Sequence, residues 1–114
     1  MYPDPNLIPI EKISEENLAF TSGADVLTTA IAPSKAPSLF RIMPVSDTAA
    51  KFKVLVTPSG GSERTIICNS DIDLVADAGY IFDILTSAGD SVNFELDDSG
   101  NLTLFRVQEI CYGG

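Results

Sequence analysis

The run Gly79–Cys111, GYIFDILTSAGDSVNFELDDSGNLTLFRVQEIC, constrains this chain more than any other stretch. Tyr80, Phe82 and Ile84 alternate with Ile81, Asp83 and Leu85. Ser87-Ala88-Gly89-Asp90 turns the chain, and Val92, Phe94 and Leu96 then alternate with Asn93, Glu95 and Asp97. Asp98-Ser99-Gly100-Asn101 turns it again before a last run from Leu102 to Cys111. Apolar residues at every second position, bounded by Gly, Asp, Ser and Asn, mark half-buried β-strands. The spacing predicts three strands of a meander. In the last run the apolar phase changes between Leu102/Leu104 and Phe105/Val107, which predicts a β-bulge near Leu104–Phe105.

Upstream the same grammar repeats. Ser38–Val45 is a strand with Phe40 and Ile42 on one face and Arg41 and Met43 on the other. Pro44 has no N–H, so this strand lies at an edge or carries a bulge there. Lys51–Thr57 alternates with Phe52, Val54 and Val56 facing in. Pro58–Ser62 is a hairpin loop, and Glu63–Asn69 returns antiparallel. Asn17–Phe20 is a short strand. Ala24–Ala32 is ambiguous by period, and its Val, Ile and Thr favour strand. Pro33–Pro37 is a loop. Eight or nine short strands without 3.6-residue periodicity predict an all-β, antiparallel β-sandwich, jelly-roll-like in connection.

Residues 1–16 carry three prolines in the first nine positions. Proline fixes φ and pushes its predecessor towards extended backbone. The expectation is an extended Pro-rich arm (1–16) on a sandwich domain (17–114). The arm's Tyr2, Leu7, Ile8, Ile10 and Ile13 need an apolar surface, on this domain or on a neighbouring subunit, and are the candidate partner-contact residues.

Composition narrows function. Seven Lys+Arg stand against 16 Asp+Glu, a formal charge of -9. Such a surface repels phosphate backbones and anionic membranes, so neither nucleic acid nor membrane is an expected partner. There is no histidine. That excludes Ser-His-Asp and Cys-His catalysis by this chain and removes the commonest metal ligand. A glycosidase needs paired carboxylates in a sugar cleft. Without Trp, and with three Tyr, the chain offers few platforms for a sugar ring. No enzyme and no cofactor are expected. Asn69, Asp71 and Asp73 offer oxygens at alternate positions, a weak calcium candidate. Counted from Asn69, the sixth and twelfth positions are Leu74 and Tyr80, so the EF-hand pattern fails. Cys68 and Cys111 read either as two buried thiols or as a disulfide. MYPDPNLIPIEK lacks the basic and apolar regions of a secretory leader, so synthesis in a cytoplasm is expected.

The runs Ala78–Ile84, Ala88–Phe94 and Leu104–Ile110 resemble small β-sandwich virion proteins of tailed bacteriophages, with a Y-x-F-x-I…G-D-S-V-N-F stretch before a closing L-x-R-V-x-E strand. The resemblance covers about the last third of the chain. It implies a capsid decoration (cement) protein in the virion, made in the host cytoplasm. It implies a homotrimer bound to the major capsid protein, or else a tail or fibre accessory. The competing reading is a monomeric glycan- or ligand-binding module, calcium-assisted through Asp71 and Asp73.

Overall fold

In the computed structural model, which describes residues 9–111, the longest strand is the hub of the larger sheet. The strands are β1 (Pro9–Glu15), β2 (Leu18–Phe20), β3 (Ser38–Ser46), β4 (Phe52–Thr57), β5 (Arg64–Ile67), β6 (Phe82–Thr86), β7 (Ser91–Leu96) and β8 (Gly100–Cys111). β8 takes β1 and β2 along one side and β3 along the other, and β6 closes the order β1-β8-β3-β6. The smaller sheet has the order β5-β4-β7. All pairings are antiparallel. The two sheets pack face to face, so the chain is an all-β sandwich.

The expected meander is corrected. β6 pairs with β3, β7 with β4, and β8 with β1, β2 and β3, so no two of these last three strands pair with each other. Their turns cross between the sheets. Alternation reports a half-buried face, and it carries no information about which strand lies alongside. At the first crossing Gly89 has φ +83°, and a Cβ there would meet Ser59 of the β4–β5 loop at 2.6 Å, so glycine is required twice over. β4 and β5 do form the expected hairpin, with Val54 opposite Ile66.

β3 alternates as read, with Phe40 and Ile42 buried. It is a central strand, yet its pairing with β6 ends at Ile42, so Pro44 lies beyond that ladder. A register shift follows at Val45/Ser46, opposite Leu104 and Leu102. Thr103 is therefore the extra residue, and this bulge accounts for the change of phase in β8. The strand expected over Ala24–Ala32 is corrected to an irregular run that touches β7 at Asp25 and Ile31. Between those points the Asn93 side chain takes the place of a neighbouring backbone. Its Oδ1 accepts from Leu27 N–H and its Nδ2 donates to Leu27 C=O, both at 3.0 Å.

The core is a chain of rings across both sheets. Phe52 stacks on Phe82 (5.7 Å) and on Phe94 (5.8 Å), and Phe94 meets Phe105 edge-on at 5.0 Å. Fully buried aromatics supply the largest apolar areas in a core of this size. Ile42, Val54, Leu74, Val92, Leu96, Leu102 and Val107 fill in around them.

Candidate functional site: an apolar margin between two edge strands

β5 and β6 are end strands of their sheets. With Phe94 of β7 against Phe105 of β8 and Phe52 of β4 against Phe82 of β6, the strand orders run side by side and bring β6 to the β5 side of the smaller sheet. The chain between them, residues 68–81, therefore runs along one margin of the sandwich. Several contacts hold it there. Leu74 is fully buried, and its N–H donates to Ala50 C=O at 2.8 Å. Asp77 N–H donates to Ser46 C=O at 2.7 Å. Val75 N–H donates to the Tyr80 hydroxyl at 2.9 Å, while the Tyr80 ring stacks on Phe82.

On this anchored margin stand Ile66, Ile67, Ile72, Val75, Ile81 and Leu85. They are all of the exposed large apolar side chains among the described residues. Val75 and Ile81 are each 64% exposed and Leu85 is 69% exposed. Scattered apolar exposure is ordinary on a protein surface, whereas its concentration in one region marks an interaction site. Residues 66–85 also hold four aspartates and no lysine or arginine.

The outer face of the larger sheet orders the β6 end of this margin. Pro9, Ile110, Leu39 and Leu85 lie opposite one another in successive strands, an apolar row that ends at the free edge on Leu85. Glu11, Gln108, Arg41 and Asp83 form the next row on that face, which ends at the edge on a carboxylate. Arg41 donates to both Asp83 oxygens at 2.9 Å, and this guanidinium holds the Asp83 carboxyl below the usual range.

A second polar cluster lies inside the sandwich. Glu109 occupies an inward position of β8, in phase with Phe105, Val107 and Cys111, and is fully buried. Its carboxylate accepts Ser34 N–H on both oxygens (2.9 and 2.8 Å), Lys35 N–H (3.1 Å) and the Ser38 hydroxyl (2.8 Å). Lys12 Nζ lies 3.4 Å away and also donates to the Ser34 hydroxyl. Lys12 is the extra residue of a bulge in β1, where the register shifts between Glu11 and Ile13. That bulge frees Lys12 from the alternation and lets it reach the buried carboxylate. Burial raises the Glu109 pKa, but these hydrogen bonds and the Lys12 charge outweigh it and hold the group at about 2. Ser38 passes the network to Thr86 at 3.0 Å, so Glu109 ties the 33–37 loop to four strands.

The residues singled out from the sequence fall in different places. Ile13 packs in the chain's own core and Ile10 is half-buried in β1, so the arm from Pro9 onward is a strand of the sandwich. Tyr2, Leu7 and Ile8 lie outside the described residues. Asn69 and Asp71 belong to a tight turn with positive φ at Asn69, Ser70 and Asp71. The Asn69 amide is used on Ile72 C=O (3.1 Å), and Asp71 lies 3.8 Å from Lys51 Nζ. Asp73 is exposed, and no group of three potential metal ligands gathers among the described residues. Cys68 and Cys111 are both free and buried. Burial pushes the Cys68 thiol up to about 11, and burial with the Glu109 charge raises Cys111. No family model, no curated protein and no solved structure matches the chain.

Proposed function

We propose that this protein works without chemistry of its own, as an assembly protein that docks on another protein through the margin at residues 66–85. The observation that carries the reading is the confinement of the exposed large apolar side chains, among the described residues, to that margin. Fully burying a Leu or Ile is worth about 1.5–3 kcal/mol, of which the side chains here, 38% to 69% exposed, retain a part to gain on docking. Leu74, Tyr80 and the Asp77 backbone hold the margin in place, so little order has to be gained on binding.

The sharper form of the proposal is a capsid decoration protein of a virion, a homotrimer seated on the lattice of the major capsid protein. A tail or fibre accessory is its alternative. The resemblance carried by Ala78–Ile84, Ala88–Phe94 and Leu104–Ile110 supports this form. In it the residues ahead of β1 join copies and the margin meets the lattice. Repeated copies of one modest contact then add by avidity.

Co-expression with the capsid protein of the same virus, followed by sedimentation of the shells, tests the proposal. The wild-type chain is expected to sediment with the shells, and the double variant Ile81→Lys, Leu85→Lys to remain in the supernatant. Wild-type chain left in the supernatant overturns the virion form. Equal sedimentation of both proteins overturns the margin as the docking surface. Light scattering on the full chain tests the trimer, since the monomer is 12.1 kDa. Truncation for this purpose stops at residue 8, because removing residues 1–13 would strip most of β1 from β8.

A further inference from the structure

We propose that the occupant of the margin is an extended segment of a different protein that adds as a strand to the free edge of β6 and carries apolar-x-basic-x-apolar side chains. This rests on the reading of residues 66–85 as the docking surface.

Three observations converge on β6. The first is the state of the open edges. β1 is guarded by a bulge at Lys12 and by Glu11 and Glu15, and β5, at four residues one shorter than β6, opens on Arg64. Charge, bulges and shortness are how sheets discourage added strands. β6 has no bulge, and its single guard, Asp83, is already bonded to Arg41. An edge strand in this state offers unpaired N–H and C=O groups to an incoming chain.

The second observation is the pattern of the side chains beside that edge. Asp83 and Leu85 share the outer face of β6, Leu85 is mostly exposed, and Ile81, the residue just before the strand and two positions from Asp83, is 64% exposed. A strand laid along them continues both cross-strand rows. It meets Leu85 and Ile81 with apolar residues and the Asp83 end of the polar row with a residue two positions from each. Opposite-charge and apolar cross-strand pairs are the stabilising ones.

The third is charge. Of the margin's four aspartates, Asp83 is paired with Arg41 and Asp71 lies 3.8 Å from Lys51, while Asp73 and Asp77 have no ion pair among the described residues. A second copy docked margin to margin would set these aspartates against one another. A basic residue in the incoming strand relieves that field and steers encounter.

Two synthetic peptides test the inference on the isotope-labelled full chain by heteronuclear NMR. One is Ser-Val-Thr-Lys-Thr-Val-Ser and the other replaces its Lys with Glu. The Lys peptide is expected to shift the amides of residues 81–86, with affinity about tenfold above that of the Glu peptide at low salt, a preference that fades as salt screens it. Leu85→Lys is expected to abolish the shifts. Equal binding of the two peptides overturns the basic occupant. Shifts gathered at Ile67, Ile72 and Val75, with β6 silent, overturn strand addition and leave the docking surface standing. Silence along the whole of 66–85 from both peptides overturns strand addition by such a segment, and the docking surface then stands or falls on the sedimentation of Ile81→Lys, Leu85→Lys with the shells.

Discussion

At one end of the larger sheet a carboxylate is sealed from water, while along its β6 edge Leu85 is 69% exposed. The two regions invert the ordinary placing of polar and apolar groups, and they are joined through Thr86, which ends β6 and bonds to Ser38 beside Glu109. The difference lies in their partners. Every oxygen of Glu109 is met by groups of the same chain, so its burial is a closed account of the fold. Ile81 and Leu85 have no such intrachain cover. An isolated buried charge costs several kcal/mol, which only well-aligned hydrogen bonds and an opposite charge can offset. A buried polar group explained from within is structural. An exposed apolar group on an anchored strand, left unexplained from within, points outside the molecule.

The largest loss of stability is expected from Glu109→Ala. It takes the shared acceptor away from Lys12 and from the N–H groups of Ser34 and Lys35, which lie between the sealed carboxylate and the surface. Removing one partner of a buried pair costs roughly 3–5 kcal/mol, and the access of water to these donors puts the loss at the lower end, about 3 kcal/mol. Urea unfolding monitored by circular dichroism should show a loss of that order. A loss below about 1 kcal/mol would mean that water reaches the carboxylate itself and that Glu109 is not the closed case described.

Acid provides the second test. Glu109 titrates at about 2 in the folded protein, below its ordinary value of 4.5. A depressed carboxylate stabilises the fold fully above the unfolded value and loses that contribution as pH falls towards the folded one. The gap corresponds to roughly 3 kcal/mol. Stability should therefore decline between about pH 4.5 and 2, and Glu109→Gln should flatten that decline. Asp47 and Asp83 are also lowered, by hydrogen bonds from Asn101 N–H and from Arg41 respectively, so a shallower acid limb should remain in the variant. An unchanged limb would place the acid sensitivity elsewhere.

Asn93 gives a third, smaller effect. Its amide holds Leu27 at both backbone groups, and its Oδ1 also accepts Phe94 N–H at 2.8 Å. Asn93→Ala leaves these groups without a partner at a cost of about 1–3 kcal/mol. Hydrogen exchange should quicken at Leu27 while the amides paired within β4 and β7 stay protected. Quickening across the whole smaller sheet would show that the Asn93 clamp holds more than the one segment.

These residues also mark where the sequence could be read and where it could not. Period-two alternation found β3, β4, β6 and β7 because each buries one face, and the phase change in β8 announced its bulge within two residues. Pairing was not legible. The same alternation serves a hairpin and a crossing between sheets, so the meander was the wrong inference from a correct pattern. Ala24–Ala32 misled because its strand-like composition is overridden by one side chain 66 residues away in sequence. Glu109 was visible as a carboxylate in phase with Phe105 and Val107, but its partners come from a loop and a bulge that no local pattern predicts. The margin had its own trace. Ile81 and Leu85 put apolar residues on the face opposite Phe82 and Ile84, which an outward face of an edge strand does not need.

The smallest expected change in stability is the most decisive for function. If Ile81 and Leu85 serve only a partner, replacing both with Lys removes little from the isolated fold. Surface substitutions away from buried contacts usually stay within about 0.5 kcal/mol. The unfolding midpoint of Ile81→Lys, Leu85→Lys should then match the wild type, with solubility raised, because lysine on an open edge discourages strand addition. Leu39 and Ile110 are half-buried in the same row, so they serve as the internal control. Lys at either position should cost more, because part of its surface is already covered by the chain itself. A double variant at 81 and 85 that loses about 2 kcal/mol or more would show these side chains to be covered by the protein in solution. The margin would then be interior in the same sense as Glu109, and the contrast between the two regions would dissolve. A silent double variant keeps the contrast, because it shows that the fold does not draw on these two exposed apolar side chains, and it makes the same variant a clean probe of partner binding.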